Sequence, residues 1–145
     1  VASGATLRLN GAAAFTQETI GTLSGAGTVT NVGAAAVNLV IADGGVSTTF
    51  SGTLTDTTNN LNLVKNAGTG TLTLTAAPTY TGATVINAGT LALNPSSAFT
   101  YNSGISGAGS LAIGGQVTQN QREISRNPIP ETGPRPAENQ TPPTP

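Results

Sequence analysis

Histidine, cysteine, methionine and tryptophan are absent from this chain of 145 residues. Their absence excludes a disulfide framework, a Cys/His zinc site, a Ser-His-Asp or Cys-His nucleophile and haem ligation by His or Met. Charge is scarce too, at 8% of residues against roughly 25% in an average soluble domain. With 5 basic and 6 acidic side chains the net charge is −1, which gives no electrostatic footprint for nucleic acid. Long apolar runs are also missing. The longest, Val32 to Ala42, contains Asn38 and is about half the roughly 20 residues a spanning helix needs. No basic and apolar leader opens the chain. It begins at Val1, as expected of a processed or excised product, so the missing leader does not argue for the cytoplasm.

What is present is small and β-branched. Thr (25), Ala (20) and Gly (19) fill 64 of the 145 positions. The distribution divides the chain. Residues 1–115 hold only Arg8, Lys65, Glu18, Asp43 and Asp56 as charged groups. Residues 116–145 hold the other six charges and seven of the nine prolines. We read 1–115 as a body and 116–145 as a polar, Pro-rich tail. The tail's composition favours an extended, polyproline-like chain that gains order only against a surface.

The body alternates with period two. Ala5-Thr6-Leu7-Arg8-Leu9, Val37-Asn38-Leu39-Val40-Ile41, Thr71-Leu72-Thr73-Leu74-Thr75 and Thr90-Leu91-Ala92-Leu93 are clear examples. Each places Leu, Val or Ile on one face and small polar residues on the other, the pattern of half-buried strands. Asp43-Gly44-Gly45, Asn59-Asn60, Asn66-Ala67-Gly68 and Asn102-Ser103-Gly104 supply turns. No stretch shows helical spacing with caps.

An internal recurrence bears on the fold class. Residues 5–29 resemble 89–113. Ala5-Thr6-Leu7-Arg8-Leu9-Asn10 returns as Gly89-Thr90-Leu91-Ala92-Leu93-Asn94, at an offset of 84. Ser24-Gly25-Ala26-Gly27-Thr28 returns as Ser106-Gly107-Ala108-Gly109-Ser110, at an offset of 82. Divided into coils of roughly 20 residues, an interval of this length spans about four. We expect an all-β parallel solenoid of about five to six coils with an extended Pro-rich tail. A sandwich or barrel is the competing arrangement.

Residues 63–91, from Leu63-Val64-Lys65-Asn66-Ala67-Gly68-Thr69-Gly70-Thr71-Leu72 through Tyr80-Thr81-Gly82 to Val85-Ile86-Asn87-Ala88-Gly89-Thr90-Leu91, resemble the autotransporter-associated β-strand repeat. The resemblance implies a right-handed parallel β-helix in a secreted or surface-displayed bacterial protein. Such repeats are usually scaffold, so it implies little about activity. Residues 20–61 are similar to the segment that commonly precedes the repeat. The tail is not covered, and display through a barrel of its own is not expected of these residues.

Candidate chemistry is thin. Asp43, Asp56, Lys65 and Arg8 are the residues from which a β-helix polysaccharide-active site would have to be built. The plainer expectation is that Asp43 opens an Asp-Gly turn, Asp56 sits in a polar turn and Lys65 is solvated at a strand edge. A side-chain amide between Lys65 and an Asn or Asp is the sharper alternative. Asn10, Asn87 and Asn94 are placed for amide ladders, Phe15 and Phe99 for packing, and Tyr80 and Tyr101 for half-buried turns. Neither a cofactor nor a metal is expected, and no Gly-Gly-x-Gly-x-Asp nonapeptide suggests calcium-binding coils. Ile129-Pro130-Glu131-Thr132-Gly133 resembles a sorting signal, but no apolar segment follows it. Asn139-Gln140-Thr141 matches a glycosylation acceptor.

The functional expectation is a non-enzymatic extracellular structural protein. Its partner is itself, through end-to-end stacking into a filament, with the tail contacting a neighbour. Leu7 and Leu9 at one end, Leu111 and Ile113 at the other, and Val117, Ile124, Pro128, Ile129 and Pro130 in the tail are the candidate assembly residues. The alternative is a fragment of a larger surface passenger or adhesin, with a cell surface or extracellular matrix as partner. A polysaccharide-active enzyme ranks last.

Overall fold

The computed structural model describes residues 1–13, 16–57, 59–101, 103–114 and 117–119. The described residues contain strands and turns and no helix. Every named strand pairing is parallel, which excludes a sandwich built of hairpins. The chain winds as a three-sided β-solenoid of about five turns.

The first face carries β1 (Thr6–Leu9), β3 (Thr28–Asn31) and β6 (Thr53–Asp56) as one sheet, and β11 (Phe99–Tyr101) beside β14 (Val117–Gln119) as another. Between them, the Thr79 N–H donates to Leu54 C=O at 2.8 Å, which carries the stack across residues without strand assignment. The second face is a five-stranded sheet of β2 (Gln17–Ile20), β4 (Val37–Ala42), β7 (Leu61–Ala67), β9 (Thr84–Ile86) and β12 (Ile105–Ser106). The third holds β5 (Thr48–Phe50), β8 (Thr71–Leu74), β10 (Thr90–Leu93) and β13 (Ser110–Ile113). Gly25 meets Phe50 there through a single bridge.

Alternation explains why these segments form these faces. In β8 and β10 the burial pattern is partly exposed, buried, partly exposed, buried. Leu72 lies level with Leu91 and Leu111, and Leu74 with Leu93 and Ile113. Like side chains thus stack turn upon turn along the interior, while Thr and Ala form the outer rows. On the first face Leu7, Val29 and Leu54 make the same kind of ladder. Each buried Leu contributes about 1.5–3 kcal/mol of apolar transfer. Such a stack has no single centre, because each turn contacts only its neighbours. The corners are tight. A Cβ at Gly52 would overlap the Gly27 carbonyl and come within 2.7 Å of the Phe50 ring.

The sequence recurrence does not correspond to a whole number of turns. β1 and its copy β10 lie on the first and third faces, and so do β3 and its copy β13. The interval therefore spans three turns and two further faces. That is close to the four coils expected, and it misses a whole number because the turns are unequal. On the first face the chain advances from Thr28 to Thr53 in one turn, an interval of 25, whereas on the third it advances only from Thr71 to Thr90, an interval of 19.

Candidate functional site

Two polar islands lie inside the solenoid, and a third polar pin sits at a corner. The first island is charged. In β7 the inward phase runs Leu61, Leu63, Lys65, so Lys65 takes a core position between Ile41 and Ile86 of the adjoining turns. Its side chain is 1% exposed, and its Nζ lies 2.6 Å from Asp43 Oδ2, itself 1% exposed. Lys65 is therefore not solvated at a strand edge. Burying it is tolerable because it meets an opposite charge and a backbone acceptor. Nζ also donates to Ala67 C=O at 3.1 Å.

Asp43 forms the expected turn as well. Its Oδ1 accepts the Gly45 N–H at 3.0 Å, and its C=O accepts the Val46 N–H at 3.1 Å. Two glycines from the following turns make room for the pair. Gly68 has φ +76° and Gly89 has φ +68°. A Cβ on Gly68 would lie 2.6 Å from Asp43 Oδ1, and one on Gly89 would lie 2.9 Å from Lys65 Nζ.

The second island is neutral. Tyr80 Oη lies 2.6 Å from Thr84 Oγ1 and 2.5 Å from Tyr101 Oη, and Thr84 Oγ1 also bonds to Tyr101 Oη. Tyr80 is 5% and Tyr101 3% exposed, so both belong to the core rather than to half-buried turns. Their rings meet edge to face, with centroids 6.3 Å apart. Phe99 packs edge-on against Tyr101 at 6.1 Å. Burial pushes the Tyr80 phenol well above its ordinary value, and the proximity of Tyr101 adds to the shift. Burial also raises Tyr101.

Asn31 is the pin. It is 1% exposed at the end of β3. Its Oδ1 accepts the N–H groups of Gly11 and Gly33, at 3.3 and 3.0 Å. Its Nδ2 donates to Ala35 C=O at 2.9 Å and Asn59 C=O at 3.1 Å. One amide thereby ties three successive turns at a corner. Asp56 acts similarly nearer the surface. Its Oδ2 accepts the N–H groups of Leu61 and Thr81, at 2.9 and 2.8 Å. Amide ladders join Asn62 to Asn38 at 2.8 Å and Asn87 to Asn66 at 2.9 Å, so Asn87 fills its expected role.

Among the described residues, no shared groove gathers the carboxylates. Asp43 follows β4 at the corner between the second and third faces, whereas Asp56 closes β6 between the first and second. Arg8 and Glu18 line an open hollow at the first turn with Leu7, Leu9, Asn10 and Val37. Of the candidate assembly residues, Leu9 is 4% exposed and Leu7 and Leu111 are partly buried. Ile113 is 44% exposed. Val117 opens β14. Ile124, Pro128, Ile129 and Pro130 lie outside the described residues, as does Phe15.

The glycines that frame the ion pair and the tyrosine of the second island that begins its hydroxyl chain all belong to one stretch. Residues 66–93 match the passenger-associated-transport-repeat. The repeat begins just after Lys65, runs through β8 and β9 and ends with β10. It is thus a little more than one turn of the solenoid, covering about a fifth of the chain. Neither the curated proteins nor the solved structures compared with the chain gave a match.

Proposed function

We propose that this chain is a non-catalytic, rod-like scaffold within a secreted or surface-displayed bacterial passenger-type protein. The observation that carries the reading is continuity. The passenger-associated repeat occupies one turn of an in-register stack, with Thr90 taking over Thr71 and Leu91 over Leu72. A spacer has to extend by whole turns without disturbing its neighbours, and a one-dimensional stack does so. Asp43, the one carboxylate beside a basic group in the core of the described residues, is already engaged by Lys65 and Gly45.

The test is a whole-turn insertion. Duplicating residues 71–89 places a second Thr71 where Thr90 now stands. The expected product keeps its β circular dichroism and cooperative unfolding, and small-angle scattering shows a rod longer by one strand spacing, about 4.8 Å. Loss of cooperative folding would refute the scaffold reading.

A second reading is favoured by the ends. Among the described residues, β1 and β2 each pair on one side only, and so do β12 and β13. Leu7 is partly exposed at one end and Ile113 at the other. A second copy of the chain would pair β13 with β1 and continue the stack into a filament. Leu111 would complete that contact, and Ile124, Pro128, Ile129 and Pro130 would form the clasp, beyond Val117, which pairs with Phe99 of its own chain. Sedimentation should then show concentration-dependent growth, abolished by Ile113→Lys and weakened by removing 116–145. A monomer at all concentrations rejects end-to-end assembly and leaves the scaffold reading standing.

A further inference from the structure

We propose that Lys65 and Asp43 condense into a side-chain amide that staples the second turn of the solenoid to the third. The geometry is that of a reaction partner as much as of an ion pair. Nζ is 2.6 Å from one carboxylate oxygen, and both side chains are 1% exposed. The other oxygen, Oδ1, already accepts the Gly45 N–H at 3.0 Å. Ala67 C=O holds Nζ at 3.1 Å. Ile41 and Ile86 stack above and below Lys65, which keeps the pair in apolar surroundings.

Three physical effects act together on this pair. Burial makes the two charges costly to keep, so a bond that removes both together relieves that penalty. Fixed proximity is worth effective molarities on the order of 10⁵–10⁸ M in well-oriented intramolecular reactions. A backbone N–H directed at Oδ1 stabilises the charge that develops there as the amine adds.

The step balances without an outside reagent. A proton passes from the Lys65 ammonium to Asp43 Oδ2. The Nζ lone pair then adds to Cγ, forming the C–N bond, while Gly45 N–H holds Oδ1. A second proton moves from nitrogen to Oδ2, the Cγ–Oδ2 bond breaks, and water leaves. The third ammonium proton stays on the amide nitrogen. One positive and one negative charge are lost together, and nothing is oxidised or reduced.

The bond has a distinctive readout, because Lys65 is the one lysine and the nearest arginines are Arg8 and Arg122. The full chain, purified, denatured and weighed intact, is expected to be lighter than its sequence by one water. Trypsin should then leave Leu9–Arg122 uncut at Lys65. An intact mass equal to the sequence, with peptides Leu9–Lys65 and Asn66–Arg122 recovered, would overturn the proposal. So would a water loss with cleavage at Lys65 preserved, which marks cyclisation of Asp43 onto the Gly44 nitrogen. The Asp43→Asn variant sharpens the result. Condensation there expels ammonia instead of water, and the tryptic block at Lys65 returns.

Discussion

The two polar islands of the core solve the same problem in different ways. At Lys65 and Asp43 the solenoid buries opposite charges and satisfies them with a backbone N–H and a carbonyl from the same corners. At Tyr80, Thr84 and Tyr101 it buries hydroxyls that satisfy one another and carry no charge. The difference concerns failure. Hydroxyls can re-pair when one is lost, because each donates and accepts. An ammonium left without its carboxylate has no substitute inside an apolar stack. The charged island is therefore the more brittle of the two and the more dependent on its glycines.

The largest expected effect tests that brittleness. Lys65→Met leaves the Asp43 carboxylate buried without a counter-charge and should cost about 3–5 kcal/mol in urea unfolding. Adding Asp43→Leu to Lys65→Met should recover part of that loss, since paired replacement by apolar residues is often close to neutral. Failure of the double variant to recover anything would show that the Gly45 N–H, not the charge, is the main concern. Tyr80→Phe is expected to cost less, about 1–3 kcal/mol, because Thr84 and Tyr101 remain bonded to each other.

Alkaline pH probes the hydroxyl island without mutation. Both phenols are raised above the ordinary value of 10.0 in the folded chain. The fold holds those protons more tightly than the unfolded chain does. The stabilisation is complete below pH 10 and declines as pH rises above it toward the folded values. Thermal melts of the parent chain should show this decline, and Tyr80→Phe should flatten it. The smallest effect is expected on the outer rows. Thr73→Val, at a partly exposed position beside Thr49 and Ala92, should change stability by no more than about 0.5 kcal/mol.

Much of this architecture is legible in the sequence, because alternation reports directly which residues face inward. The strands follow from it, while the solenoid is signalled by the internal recurrence and the turn at Asp43 by its Asp-Gly-Gly run. The same alternation also indicates Lys65. Leu61 and Leu63 set a phase in which position 65 points inward, yet a lone lysine among small polar residues suggests a solvated edge. Phase is the better guide here, because a strand cannot turn one side chain outward without a bulge. Asn31 was hidden for the same reason, next but one after the buried Val29. The partners are harder to foresee. Asp43 meets Lys65 and Tyr80 meets Tyr101 across about one turn in each case. Only a correct turn length brings those pairs together. A single average coil length is too coarse for that, when the advance from Thr28 to Thr53 and the advance from Thr71 to Thr90 both make one turn.

The unequal turns have one more consequence. Strand β10 (Thr-Leu-Ala-Leu) nearly repeats β1 (Thr-Leu-Arg-Leu) on a different face, and the Ser-Gly-Ala-Gly turn that precedes β3 returns before β13. The first and third walls thus accept one kind of strand. A gene encoding such a chain could reuse a segment first written for one wall when it adds turns that end on another. The backbone would absorb the slippage at its corners, much as a screw accepts a longer thread whatever is engraved along it.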